Sequence, residues 1–157
     1  MGGNLCNASP AADSVPGMVA AASTVTIVGP DGEREVAVEN FCRSPGETTL
    51  SRGEMVAFIN IPAPEPRSGD AYLRFIPRTE MDIAVVGAGV NVTLDEAGVI
   101  TSARVALGAV AQGQHPVARD GHVLGERHLE GVPDLVARCA AGTKERDGLI
   151  AAGNDRL

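Results

Sequence analysis

The sequence predicts a mixed α and β protein with antiparallel sheets, and three observations carry that expectation. Short runs rich in β-branched residues alternate with polar positions at 24–28, 35–38, 55–61, 71–76 and 99–110. The connections between these runs are too short to hold the crossover helices that parallel strands need. Nineteen glycines and ten prolines in 157 residues point to many turns rather than to long helices.

Taken in order, residues 1–13 are rich in Gly, Asn, Ser and Pro and read as a loop. The run 14–22 (SVPGMVAAA) reads as one or two helical turns packed beneath it, with Ser14 as N-cap. Strands at 24–28 and 35–38 flank Gly29-Pro30-Asp31-Gly32, a strong hairpin signal. Residues 41–46 connect onward, Thr48-Thr49-Leu50 leads into Ser51-Arg52-Gly53-Glu54, and 55–61 alternates again. The stretch 62–70 (PAPEPRSGD) carries three prolines with Ser, Gly and charge, the sharpest composition shift in the chain and the best boundary or linker. A strand follows at 71–76. The run 83–94 is apolar and glycine-containing, and reads either as a buried strand or as a small-residue helix turning into a strand. Residues 95–98 turn into the strand at 99–110. A late helix is expected over 129–141, with Pro133 in its first turn and Gly142 at its C-cap, and the polar tail reads as frayed.

Composition excludes several functions. Thirteen Lys and Arg face twenty Asp and Glu, a formal charge of −7, which argues against a binder of nucleic-acid phosphates. One Tyr, three Phe and no Trp leave almost no platform for stacked bases. No apolar run approaches the roughly 20 residues of a membrane span, and the N-terminus has no basic and apolar leader pattern, so a cytoplasmic protein is expected. Apolar residues at 44% allow a real core.

Little in the sequence announces chemistry. Cys6, Cys42 and Cys139 are widely spaced without a C-x-x-C pair, so no zinc or iron–sulfur site is expected. His115, His122 and His128 fall in a polar, Gly-rich stretch and read as solvated loop residues rather than ligands. No G-x-S-x-G elbow or oriented His marks a nucleophile, and no catalytic residue is assigned. The dinucleotide fingerprint G-x-G-x-x-G is absent. Gly87-Ala88-Gly89 sits mid-strand, where small residues more often permit close packing. Gly2-Gly3-Asn4 is the most informative piece: paired glycines let a backbone approach phosphate closely and offer N–H groups in a concave nest. At a chain end such a pair also reads as a flexible terminus. Arg74, Arg78, Glu80 and Asp82 form a local charge cluster that suits a solvated edge as well as a ligand-facing one.

These residues meet a known family. Gly2-Gly3-Asn4-Leu5-Cys6-Asn7-Ala8-Ser9-Pro10-Ala11-Ala12-Asp13-Ser14-Val15-Pro16 resembles the second flavin loop of the FAD-binding medium subunit of molybdenum hydroxylases, a group that includes aerobic carbon monoxide dehydrogenase and xanthine dehydrogenase. The likeness continues through 25–34, 59–66, Ala71-Tyr72-Leu73-Arg74-Phe75, 78–87 and 104–111, and so covers about residues 2–111. It implies an α+β fold in which the second subdomain of a PCMH-type FAD-binding domain (1–62) joins through a linker (63–70) to a CO dehydrogenase flavoprotein C-terminal-like domain (71–157), an antiparallel sheet with helices whose tail diverges after residue 111. It also implies an N-terminal truncation, because the chain begins at the second flavin loop.

The resemblance further implies a cofactor site. The backbone at Gly2, Gly3 and Asn4 would hold the FAD pyrophosphate and neighbouring ribose, and Ser9 and Asp13 would lie along the cofactor. Cys6 and Leu50 would make apolar contact, and Arg74 matches a basic position near the flavin end. Asp82 and Ile83 would lie in a turn with a structural role. The implied activity is electron relay from iron–sulfur clusters through FAD to an acceptor, with an iron–sulfur small subunit and a molybdopterin large subunit as partner chains. The other expectation is a non-catalytic remnant that acts through self-association or protein contact.

Overall fold

The computed structural model describes residues 1–78 and 82–109, and the backbone of two further strands at 115–119 and 122–123. Helix α1 (Gly2–Cys6) and helix α2 (Ser14–Ala20) precede strands β1 (Thr24–Gly29) and β2 (Gly32–Ala37). A single 3₁₀ turn, Val38–Asn40, leads to the short strands β3 (Cys42–Ser44) and β4 (Glu47–Thr48), then to β5 (Met55–Asn60). Beyond the connector come β6 (Ser68–Phe75), β7 (Val86–Leu94), β8 (Ile100–Gly108), β9 (His115–Arg119) and β10 (His122–Val123).

Described strands pair antiparallel throughout, in the orders β2-β1-β5, β3-β4 and β10-β9-β8-β7-β6. The first hairpin forms where the turn residues stand: Gly29 pairs Gly32 around Pro30-Asp31, and Gly32 takes φ +111°, a backbone that other residues resist. Within the run 83–94, Val86–Leu94 is strand, and Gly87 to Thr93 are paired on both sides.

Three expectations change. Residues 2–6 are helical rather than loop, because Leu5 is fully buried and its N–H reaches Met1 O, while Asn7 N–H reaches Gly3 O. Core burial outweighs the poor helix propensity of paired glycines. Ser14 is the first helical residue rather than the cap. The Asn4 side chain, ten positions upstream, does the capping: its Oδ1 accepts from Ser14 N–H (3.3 Å) and Ser14 Oγ–H (2.7 Å). His115 and His122 lie on strands rather than in a loop, since β9 pairs with β8 and β10 with β9. In addition, β6 starts at Ser68, three residues before the expected strand. The late helix at 129–141, His128, Cys139 and Glu80 lie outside the described residues.

One core joins Leu5, Val15, Met18, Val19, Val25, Ile27, Val38 and Phe41 to Ala106 of β8. Helix α2 is the seam between this core and the five-stranded sheet. It lies on β7 and β8 closely enough that a Cβ on Gly89 would stand 2.5 Å from Pro16 O, and one on Gly108 2.7 Å from the Pro16 ring. Gly87-Ala88-Gly89 thus serves close packing, as expected of small residues within a strand.

Candidate functional site

Register places the sheet face beneath α2 in rows. Residues directly opposite in antiparallel strands share a face, so Arg74–Gly87–Gly108 and Tyr72–Gly89–Ala106 form two adjacent rows. At this end of α2 the loop returns to the sheet. Arg74 Nη1–H donates to Asp13 Oδ2 at 2.8 Å, and Tyr72 Oη–H reaches Asp13 Oδ1 at a long 3.5 Å. Asp13 and Arg74, 61 positions apart in sequence, are therefore partners. Burial and the Asp13 carboxylate push the Tyr72 phenol above its ordinary value, so it stays a proton donor.

Around this pair the remaining predicted residues divide. Gly2 and Gly3 open the first turn of α1, where amides have no intrahelical carbonyl to meet, and the space where a Cβ would stand is empty at both. Asn4 is exposed, but its side-chain oxygen is engaged by Ser14. Ser9 Oγ accepts from Ala11 N–H at 3.3 Å and shapes the turn before α2. Cys6 is exposed at the end of α1, whereas Leu50 is half-buried and packs on the core. The loop is pinned further by Ala109 N–H to Pro10 O (2.8 Å) and Gly46 N–H to Ala8 O (3.1 Å).

The charge cluster splits. Arg74 turns to Asp13, while Arg78 donates to both oxygens of Asp82, at 3.0 and 2.7 Å, on a solvated edge. Neither described cysteine is activated. Burial raises the Cys6 thiol, and burial followed by the nearby Cys6 raises Cys42, whose Sγ–H points at Leu5 O at 3.7 Å.

Sequence reasoning missed two residues that position this site. Tyr72 is one. The other is Arg104 of β8, whose Nη2–H donates to Val19 O (3.0 Å) and Glu39 Oε2 (2.7 Å), tying the end of α2 and the 3₁₀ turn to the sheet. Its signal was available, since a lone charge interrupts a strand face of Ser, Ala and Gly at 102, 106 and 108.

A site of this kind offers free backbone N–H groups at α1 and a charge pair at the start of α2. The residues fit an elongated anion-bearing ligand at the backbone amides, and they show no nucleophile–base pair among the described residues.

Comparison with known proteins gives the family. Residues 1–64 match the FAD binding domain in molybdopterin dehydrogenase, and residues 71–129 match the CO dehydrogenase flavoprotein C-terminal domain. The xanthine dehydrogenase FAD-binding subunit of Escherichia coli O157:H7 is 33% identical over 111 residues, covering 70% of this chain and 38% of that protein. The nicotinate dehydrogenase FAD-subunit of Eubacterium barkeri is 30% identical over 120 residues, 74% of this chain and 40% of that one. The chain therefore spans about two fifths of the length of these relatives. Among solved structures, CO dehydrogenase from Oligotropha carboxidovorans superposes with TM-score 0.68 at 29% identity, covering 73% of this chain and 40% of its own. Quinoline 2-oxidoreductase from Pseudomonas putida 86 superposes with TM-score 0.65 at 26% identity, covering 88% and 47%. With both segments matched in order, this chain belongs to the family of FAD-binding subunits of molybdenum hydroxylases, alongside the medium subunits of xanthine and carbon monoxide dehydrogenases.

Proposed function

We propose that this chain contributes the second flavin loop and the C-terminal sheet of an FAD-binding subunit that relays electrons from iron–sulfur clusters to an acceptor. The observation that carries the reading is the Asp13–Arg74 bond, which joins two residues that the resemblance assigns to the cofactor and that lie 61 positions apart in sequence. In this reading the division is 1–62 for the FAD-binding part, 63–70 for the linker and 71–157 for the C-terminal part. An iron–sulfur small subunit and a molybdopterin large subunit are the partner chains, in the cytoplasm.

Each residue has a stated task. The amides of Gly2, Gly3 and Asn4 receive the pyrophosphate, since N–H groups without carbonyl partners favour an anion and glycine lets it approach. Ser9 and Asp13 line the path beyond, and Cys6 and Leu50 supply apolar contact. Arg74 holds Asp13 in orientation and places a positive charge at the flavin end. FAD, when bound, supplies the electron-transfer chemistry, and the protein positions and tunes it.

The test is titration of FAD into the purified chain, followed by quenching of flavin fluorescence, alone and with a polypeptide carrying the first flavin loop. Saturable quenching in either arm is expected, weakened about tenfold by Arg74→Ala, the worth of one charge-assisted contact. Protein that stays colourless and quenches nothing in both arms overturns the reading. A second reading, action through self-association, is favoured by Phe58, Met55, Phe75 and Ile83, all more than half exposed. It predicts a flavin-silent chain that sediments as an oligomer.

A further inference from the structure

The three-stranded sheet β2-β1-β5 has two unlike edges. Val25 and Ile27 of β1 are fully buried, so the register puts Arg34, Val36, Val56 and Ile59 on the inner face. Glu33, Glu35, Met55 and Phe58 fall on the outer one. Strand β2 thus carries two outward carboxylates, while its Arg34 is held by Glu54. Charges of this kind protect a native edge from pairing. Strand β5 (MVAFIN) has neither a charge nor a proline, and among the described residues it pairs with β1 alone. On it, Met55 and Phe58 are 65% and 64% exposed.

We propose that β5 pairs antiparallel with β5 of a second copy of this chain, across a twofold axis, to form one continuous six-stranded sheet. Such pairing requires a strand whose faces match when it is read backwards. Strand β5 meets that requirement through its irregularity. The register shifts between Thr26↔Phe58 and Ile27↔Val56, which leaves Ala57 as an extra residue. Two exposed residues therefore separate half-buried Val56 from half-buried Ile59, and the order of exposed and half-buried positions is the same in both directions. With the axis between Ala57 and Phe58, Met55 stands across from Asn60 of the second copy, Val56 from Ile59, and Ala57 from Phe58. Every pair then joins residues of one face. An axis moved by half a residue sets inward positions against outward ones.

Charge selects this edge over the other. The chain carries −7, so two copies repel unless their acidic groups stay apart. In the β5-to-β5 sheet the two β2 strands lie five strand spacings apart, about 24 Å, well beyond the screening length of about 8 Å. A β2-to-β2 sheet would crowd Glu33 and Glu35 of both copies onto one face, with Arg34 on the other. The pairing rests on the second reading above, self-association, and gives it a definite surface. No residue assigned to FAD lies on β5.

Sedimentation velocity of the full chain over a concentration series tests the pairing. An edge of six residues buries less than a standard interface, so a dimer with Kd on the order of 10 μM is expected. Amide hydrogen exchange should slow in β5 as concentration rises and stay constant in β2. Phe58→Lys, at an exposed position, is expected to weaken the dimer at least about tenfold. Met55→Lys, equally exposed, should do the same and serves if the first variant fails to fold. Glu35→Lys, on the other edge, should leave the dimer intact. A monomer at every concentration overturns the pairing. So does a dimer that neither β5 variant weakens, one that Glu35→Lys weakens equally, or protection gained in β2 rather than β5. Those last three outcomes leave self-association standing through another surface, and a monomer that quenches flavin leaves the FAD reading intact.

Discussion

The first forty-one residues and the five-stranded sheet are held by opposite means. In the first, large side chains fill space: Phe41, Leu5, Ile27, Val25 and Val19 are all at or below 2% exposure and meet in one cluster. Where that unit meets the sheet, side chains are instead removed. Gly89, Gly108 and Ala106 let the backbone of α2 descend, and one long polar side chain, Arg104, fastens it. The first kind of contact tolerates loss of volume badly. The second tolerates gain of volume badly. The same helix takes part in both, which is how Asp13, at the head of α2, comes to lie against a strand carrying Arg74.

Substitutions separate the two means of adhesion. The largest effect is expected for Phe41→Ala, about 3–5 kcal/mol from lost transfer energy plus a cavity. Hydrogen exchange should show protection lost first in β1, β2 and β5. An equal loss in β7 and β8 would show that the two regions do not differ as described. Gly89→Ala is next, about 2–3 kcal/mol, because the new Cβ has only Pro16 backbone to displace. Its exchange signature should appear in α2 and β7 while β1 keeps its protection.

The smallest effect is electrostatic. Arg34 donates to both Glu54 oxygens at 2.8 Å, and Ser51 N–H adds a third bond, so the carboxyl falls from 4.5 to about 2. A carboxyl depressed on folding stabilises above its unfolded value, and that contribution is lost as pH falls through the folded one. Urea unfolding of the parent chain and of Glu54→Gln should therefore differ most above pH about 4.5 and converge towards pH 2. A constant difference across that window would remove the ion pair as the cause.

Parts of this molecule were legible one residue at a time. The Gly29-to-Gly32 hairpin followed from turn chemistry, and the antiparallel sheets followed from short connections between alternating runs. Asp13 and Arg74 were each named through resemblance, but their bond was not, because a contact across 61 positions has no local signature. Helix α1 was missed for the converse reason: its local composition favours a loop, and only burial of Leu5 makes it helical. Ser14 was placed at the head of a helix, yet the capping group belongs to Asn4, which the resemblance named only for its backbone.

The sequence by itself determined strands β1, β2, β5, β6 and β8 and the family, since periodicity, turn residues and motif order are local properties. The tertiary structure decided which rows of the sheet face beneath α2 are small and which are polar. That division depends on strand register and on where α2 ends, and both are settled by packing between residues far apart in the chain.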